Sequence, residues 1–213
     1  MIDVARPPSA ASSSDETVAA SPSPSISSLI LGAVHGGGAR PPRASCADAV
    51  ASGALTLLGM GVLAGIQYSA GARTAGLEML IGSFAATAVL VYAAPASPLA
   101  QPRNVIGGHA LSALLGVAAR VVIADSARAG AEPVAAALAV ALSVYAMAAA
   151  GVTHPPGGAT ALIAVVGGDA VRNLGWWYVL DVLLGASILT AIAIAGNCAL
   201  HFWMPLRAYP KNW

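Results

Sequence analysis

VAAALAVALSVYAMAAAGVTHPPGGATALIAVVG, residues 134–167, is apolar nearly throughout, except where Thr153-His154-Pro155-Pro156-Gly157-Gly158-Ala159-Thr160 interrupts it. A bilayer needs only about 20 apolar residues to be crossed by a helix. Two prolines in the interruption remove two backbone donors, and Pro155 pushes His154 out of helical geometry. The stretch therefore predicts a helix over 134–152 that stops within a residue or two of His154. A second, short helix should start near Pro156 or Gly157. Backbone broken at membrane depth is tolerated only where protein buries it or it lines a wet cavity.

Working outward, further apolar runs occupy 49–70, 76–94, 105–124 and 176–200. Together with 134–152 they predict five long segments, and 157–167 adds one of half length. Trp176, Trp177 and Tyr178 at one end of the last run, and Phe202 and Trp203 at the other, read as interfacial belts. The arginines and Lys211 are spread along the chain and leave the orientation open. The fold class is thus all-α, a polytopic helical membrane protein with a broken or half helix.

Composition supports this. The 213 residues are 57% hydrophobic and 9% charged, with a mean hydropathy of +0.75; soluble domains carry about 25% charged residues. A surface so poor in charge needs lipid as its solvent. A net charge of +1 gives no case for nucleic acid. Cys46 and Cys198 match no metal or redox spacing, and no cofactor motif is present. Residues 1–47, with Ser12-Ser13-Ser14 and Ser21-Pro22-Ser23-Pro24-Ser25, read as a disordered Ser/Pro/Ala-rich arm. A transit peptide is the sharper reading of that arm, but Asp3, Asp15 and Glu16 argue against it. Residues 48–213 form the membrane domain.

An internal repeat is visible. Arg103-Asn104, with Leu111, Leu114, Leu115 and Gly116, aligns in register with Arg172-Asn173, Leu180, Leu183, Leu184 and Gly185. Ala86-Thr87-Ala88-Val89-Leu90 resembles Ala159-Thr160-Ala161-Leu162-Ile163. The unit would be long helix, short or broken helix, long helix, present twice. The copies are inverted if the short element crosses the membrane and parallel if it only re-enters. Such repeats often place a transport site near the midplane, where broken helices end.

After the break, unpaired N–H groups at Gly157, Gly158 and Ala159 and the positive end of a helix dipole form an anion seat. A bulky residue at Gly157 or Gly158 would fill that seat without removing a helix hydrogen bond. The region of Ser83 and Thr87 falls opposite in the repeat alignment. Further polar donors would come from Thr160 and His154, with Asn104, His109 and Asn173 nearby. A kink that merely lets helices pack explains the same residues without a ligand. Arg120 and Asp181 are the other ionisable residues inside apolar runs, and Asp181 reads as a structural partner for an arginine, Arg120 if the halves are inverted.

HPPGGAT, GSFAATAVL (Gly82–Leu90), SPLAQPRNVIGGH (Ser97–His109) and the C-terminal Tyr209-Pro210-Lys211-Asn212-Trp213 resemble the HPP family of integral membrane proteins. The resemblance implies a small helical membrane protein. Some members are described as nitrite transporters of chloroplast envelopes and cyanobacteria. It therefore implies a transporter or channel for a small monovalent anion such as nitrite, in a chloroplast envelope or bacterial inner membrane. A non-transporting scaffold or regulatory subunit would use the same small-residue packing. No enzyme site is legible. The expected partners are the anion and membrane lipid, and homo-oligomerisation stays open.

Overall fold

A computed structural model describes residues 25–27, 43–126 and 130–211. Most of the expected arm, and with it the targeting reading, lies outside those residues. The unit from Ala44 onward is helical, and no strand occurs among the described residues. Helix α1, Cys46–Gln67, begins inside the expected arm because Ser45 caps it, its hydroxyl accepting from the Asp48 N–H at 3.1 Å. A short α2, Ala70–Ala75, follows. Helix α3, Gly82–Ala88, runs on into a π-helical turn, Val89–Ala93. After a 3₁₀ turn, Pro98–Ala100, α4 spans Pro102–Ala119 and also ends in a π-helical turn, Arg120–Ala124. Then come α5, Glu132–Ala149, α6, Pro155–Val166, the short α7, Asp169–Leu174, and α8, Trp177–His201.

Among the described residues, four helices are long and apolar enough to cross a membrane: Cys46–Gln67, Pro102–Ala124, Glu132–Ala149 and Trp177–His201. Two are of half length, Gly82–Ala93 and Pro155–Val166. The expected fifth long segment, 76–94, is therefore corrected to a half helix. Gly76, at φ +69°, turns the chain out of α2, and residues 77–81 are not helical. The Glu78 N–H donates to Asp181 Oδ2 at 3.2 Å and the Met79 N–H to Gln67 Oε1, so those donors need no helix. The break in residues 134–167 is present but opens earlier than expected. α5 ends at Ala149 because Gly151 takes φ +64°, the left-handed conformation that glycine adopts without steric cost. α6 then starts at Pro155, with His154 extended before it at φ −140° and ψ 103°.

Helix directions follow from who touches whom. Gln67 reaches Met79 while Gly59 meets Tyr92, so α1 and α3 are antiparallel. Phe84 packs on Gly185 and the Tyr92 hydroxyl donates to the Leu189 carbonyl, so α8 runs with α3. Gly108 meets His154 and Gly116 meets Ala164, so α6 runs with α4. The start of α4 lies beside the chain's C-terminal segment, where the Tyr209 hydroxyl donates to the Ala100 carbonyl at 2.8 Å. α4 therefore opposes α8, and α6 opposes α3. The two half helices are antiparallel, each preceded by a positive-φ glycine and a stretch of non-helical backbone. Along the chain the order of helix lengths is long, half, long, then long, half, long.

The outer faces carry exposed apolar side chains such as Leu57, Val134, Leu138, Leu142 and Tyr145. A large apolar surface of this kind is what lipid solvates. Trp176, Trp177, Phe202 and Trp203 are exposed at the two ends of α8, where aromatic belts sit, but Tyr178 is fully buried and leaves the belt. The fold closes at one end on Arg207, which follows α8 in the 3₁₀ turn Pro205–Arg207. Its guanidinium donates to Asp48 Oδ1, the Asp48 carbonyl, Ser52 Oγ, Asn197 Oδ1 and the Tyr92 carbonyl. One planar fork thus ties the C-terminal segment to α1, α3 and α8. Beside it, burial pushes the Tyr209 phenol above its ordinary pKa. Arg207→Ala leaves the buried Tyr92 carbonyl and Asn197 amide oxygen without that donor, at about 1–3 kcal/mol each. The expected outcome is a thermal midpoint in detergent lower by roughly 5 °C or more, whereas an unchanged midpoint would show the clasp to be idle.

Candidate functional site

Four buried polar side chains meet where the half helices cross. Thr87 sits on α3, His109 two turns into α4, and Thr160 on α6, while His154 is the residue that caps α6. All four are fully buried. Thr87 Oγ1 lies 2.8 Å from His109 Nε2 and 3.0 Å from His154 Nε2. His109 Nδ1 lies 2.8 Å from Thr160 Oγ1. His154 Nδ1 lies 2.8 Å from the Leu99 carbonyl oxygen, in the turn before α4. The two imidazoles meet edge to face with centroids 5.0 Å apart, and Phe84 closes the other edge of His109.

The protons in this array can be placed by bookkeeping. A carbonyl only accepts, so His154 carries a proton on Nδ1 and, as a neutral ring, accepts at Nε2. Thr87 therefore donates to His154 and must accept from His109 Nε2–H. His109, as a neutral ring, then accepts at Nδ1 from the Thr160 hydroxyl. Every donor and acceptor is used once, in one direction, from Thr160 to Leu99. The hydroxyls each have a second carbonyl in reach: Ser83 O at 3.0 Å from Thr87 Oγ1, and Pro156 O at 3.4 Å from Thr160 Oγ1. The Tyr178 hydroxyl donates to the Thr160 carbonyl at 3.1 Å, which fixes that turn of α6 against α8.

Other candidate residues fall around this core. Ser83 is fully buried, and its hydroxyl has no hydrogen-bond partner among the described residues. Asn104 donates to the Thr153 carbonyl at 2.9 Å, and Arg103 to the Ala150 carbonyl at 3.1 Å. Together they satisfy two carbonyls of the broken backbone. Asn173 is exposed beside Gly76 and Glu78 at the other end, and Arg172 pairs with Glu132. Gly157 is not an open seat. Its N–H donates to the His154 carbonyl at 2.8 Å, and a Cβ there would meet Ser112 Oγ at 2.8 Å and the Gly108 carbonyl at 3.0 Å. The expectation that a bulky residue at Gly157 would spare the fold is thereby overturned. Gly158 has open space, and Ala159 borders an apolar depression of about 340 Å³ with Ala86, Leu90, Pro155 and Pro156. The expected Arg120–Asp181 pair does not form. Arg120 lies 3.7 Å from Asp125 and donates to the Ala164 carbonyl, whereas Asp181 accepts from the Glu78 backbone. Among the described residues, no group of three His, Cys, Asp or Glu side chains could hold a metal.

The sequence reading passed over Leu99, Ser112 and Tyr178 as contributors. Tyr178 was within reach, because it falls opposite His109 when Arg103-Asn104 is aligned with Arg172-Asn173. A carbonyl such as that of Leu99 leaves no side-chain signal.

The model of the HPP transmembrane region matches residues 41–210. The chain belongs to the HPP transmembrane family. A transmembrane protein of Dictyostelium discoideum is 45% identical over 156 residues, 73% of this chain and 52% of that protein. A second from the same organism is 40% identical over 181 residues, 84% of this chain and 55% of that protein. The chain thus spans about half the length of the curated relatives it matches. No solved structure matches it. The HPP motif now has a geometric meaning: its histidine points into the buried array, and its prolines begin the half helix that carries Thr160.

The seam between α4 and α6 generates a paired test. A Cβ at Gly108 would sit 2.6 Å from His154 Cβ and 3.1 Å from the Val152 carbonyl, so Gly108→Ala forces the HPP histidine aside. Its expected cost is about 1–3 kcal/mol, as for overpacked cores. Gly158→Ala meets nothing within 4 Å and should be neutral or stabilising by up to about 1 kcal/mol. Thermal unfolding in detergent checks both, and equal midpoints would mean the seam is loose.

Proposed function

We propose that this HPP protein is a transporter or channel that moves a small monovalent anion, nitrite as the family resemblance implies, across a chloroplast envelope or bacterial inner membrane. The observation that carries the reading is the buried Thr87–His109–Thr160–His154 array at the crossing of two antiparallel half helices. Ionisable side chains at membrane depth are costly and mark solute or ion pathways. An anion there would take donors that the array now spends on itself, namely His109 Nε2–H and the two threonine hydroxyls. The depression lined by Ala86, Leu90, Pro155, Pro156 and Ala159 lies on the half helices that hold Thr87 and Thr160. A shift of one half helix against the other would bring those donors toward it, in the manner of transporters built on broken helices. No step of chemistry is assigned, and the protein is read as a carrier and not as an enzyme.

A second reading, a non-transporting scaffold or subunit, draws on one observation: the four groups satisfy one another and are closed from solvent, as a static packing device would be. Nitrite uptake by liposomes holding the purified full chain decides between them. Uptake should exceed that of protein-free liposomes. His109→Ala, which removes two hydrogen bonds of about 1 kcal/mol each, should lower it by roughly tenfold or more. Uptake no faster than in empty liposomes would overturn transport and leave the scaffold.

A further inference from the structure

We propose that Thr160, His109, Thr87 and His154 form a proton wire between the two half helices, and that the transported anion moves together with a proton passed along it. This rests on the transport reading above. The geometry that points to it is the single hydroxyl of Thr87 bridging the Nε2 atoms of both histidines, at 2.8 Å and 3.0 Å. A static pair of buried histidines needs no shared bridge, since each ring could be satisfied by a carbonyl for its N–H and a hydroxyl of its own for its bare nitrogen. Here the Nε2 atoms share one hydroxyl, while the Nδ1 atoms face outward to Thr160 and Leu99.

The transfer balances. In the resting array the hydroxyl of Thr160 donates to His109 Nδ1, His109 Nε2–H to Thr87, and Thr87 to His154 Nε2. Once the half helices shift as proposed above, a proton from water reaches Thr160 Oγ1, whose own proton passes to His109 Nδ1. The proton on His109 Nε2 passes to Thr87 Oγ1, and that of Thr87 passes to His154 Nε2. His109 ends neutral with its proton on Nδ1, Thr87 and Thr160 remain hydroxyls, and His154 ends as a cation. The extra charge is accommodated without a lost hydrogen bond. His154 donates at both nitrogens, Thr87 donates to the now bare His109 Nε2, and Thr160, accepting from His109, turns its hydroxyl to Pro156 O. An imidazolium so placed attracts the weak-acid anion, which accepts the Nε2 proton or accompanies it. The array is then neutral with His109 on Nδ1, and exchange of the His109 ring protons with water restores Nε2–H before the next turn.

The groups that hydrogen-bond to or stack on the four side chains among the described residues carry no formal charge. α3 presents Thr87, Ser83 and Phe84, α4 presents His109 and Ser112, and α5 presents Met147. α6 presents Thr160, α8 presents the Tyr178 hydroxyl, and the turn before α4 presents the Leu99 carbonyl. Asp181, further along α8, is held by the Glu78 backbone, and Arg120 by Asp125 and the Ala164 carbonyl.

The test uses the purified full chain in two measurements. In liposomes, nitrite flux and internal pH are followed together, with protein-free liposomes subtracted for passage of nitrous acid through lipid. The native protein should move protons with nitrite in a fixed ratio. Thr87→Val keeps the shape, removes the bridge, and should lower that ratio at least roughly fivefold. Nitrite flux in the native protein with no accompanying proton, or an unchanged ratio in the valine variant, overturns the wire while leaving transport standing. If no nitrite moves, the transport reading fails first, and the wire is judged by ¹⁵N spectra of the labelled histidines. At pH 8 the native protein should show His154 protonated on Nδ1 and His109 on Nε2. In Thr87→Val, His109 should switch to Nδ1–H. A His109 that keeps one tautomer in both proteins overturns the wire.

Discussion

A backbone that leaves helical geometry inside lipid must find new partners for its N–H and C=O groups, and this requirement organises the molecule. Each uncompensated group in hydrocarbon costs several kcal/mol. Both non-helical stretches, 77–81 and 150–154, meet the demand with side chains from distant helices. Asp181 and Gln67 serve the first as acceptors for the N–H groups of Glu78 and Met79. Arg103 and Asn104 serve the second as donors to the carbonyls of Ala150 and Thr153. The ionisable residues in the apolar runs are thus largely accounted for by backbone, leaving two histidines whose partners are chiefly other side chains.

Close packing then decides which side chains can meet. Gly108, Gly116 and Gly157 let α4 and α6 approach until a methyl group would collide with the neighbouring backbone. Without a hydrophobic drive between helices in lipid, such close approach is what holds them together. It also brings His109 to hydrogen-bond distance of threonines on both half helices. The small residues and the polar array are therefore one arrangement: the seam sets the distance, and the hydrogen bonds use it.

The sequence made much of this readable and some of it not. The apolar runs and the break at the HPP motif were legible, because hydropathy and proline chemistry act locally. The half length of the 76–94 run was not. Hydropathy reports how willingly a segment enters lipid, not whether Asp181 and Gln67 wait there to receive its N–H groups. Arg207 looked like one more scattered cation, since its five acceptors come from residues as far off as Asp48. The seat expected at Gly157 failed for a related reason. A glycine invites close approach, but the sequence does not say whether a ligand or a neighbouring helix comes close, and here it is α4.

The turn before α4 joins two regions that the chain keeps far apart. Gln101 gathers it, donating to the Pro95 and Ser97 carbonyls and accepting from the Lys211 N–H at 2.8 Å, while Tyr209 holds the Ala100 carbonyl. The next carbonyl back, that of Leu99, is the one that orients His154. The chain's last described residues thus brace the turn against which an imidazole in the interior is aimed, as a thumb steadies a lever. Anything that grips or releases that tail at the membrane surface alters the angle of a ring buried among the helices, without touching the ring itself.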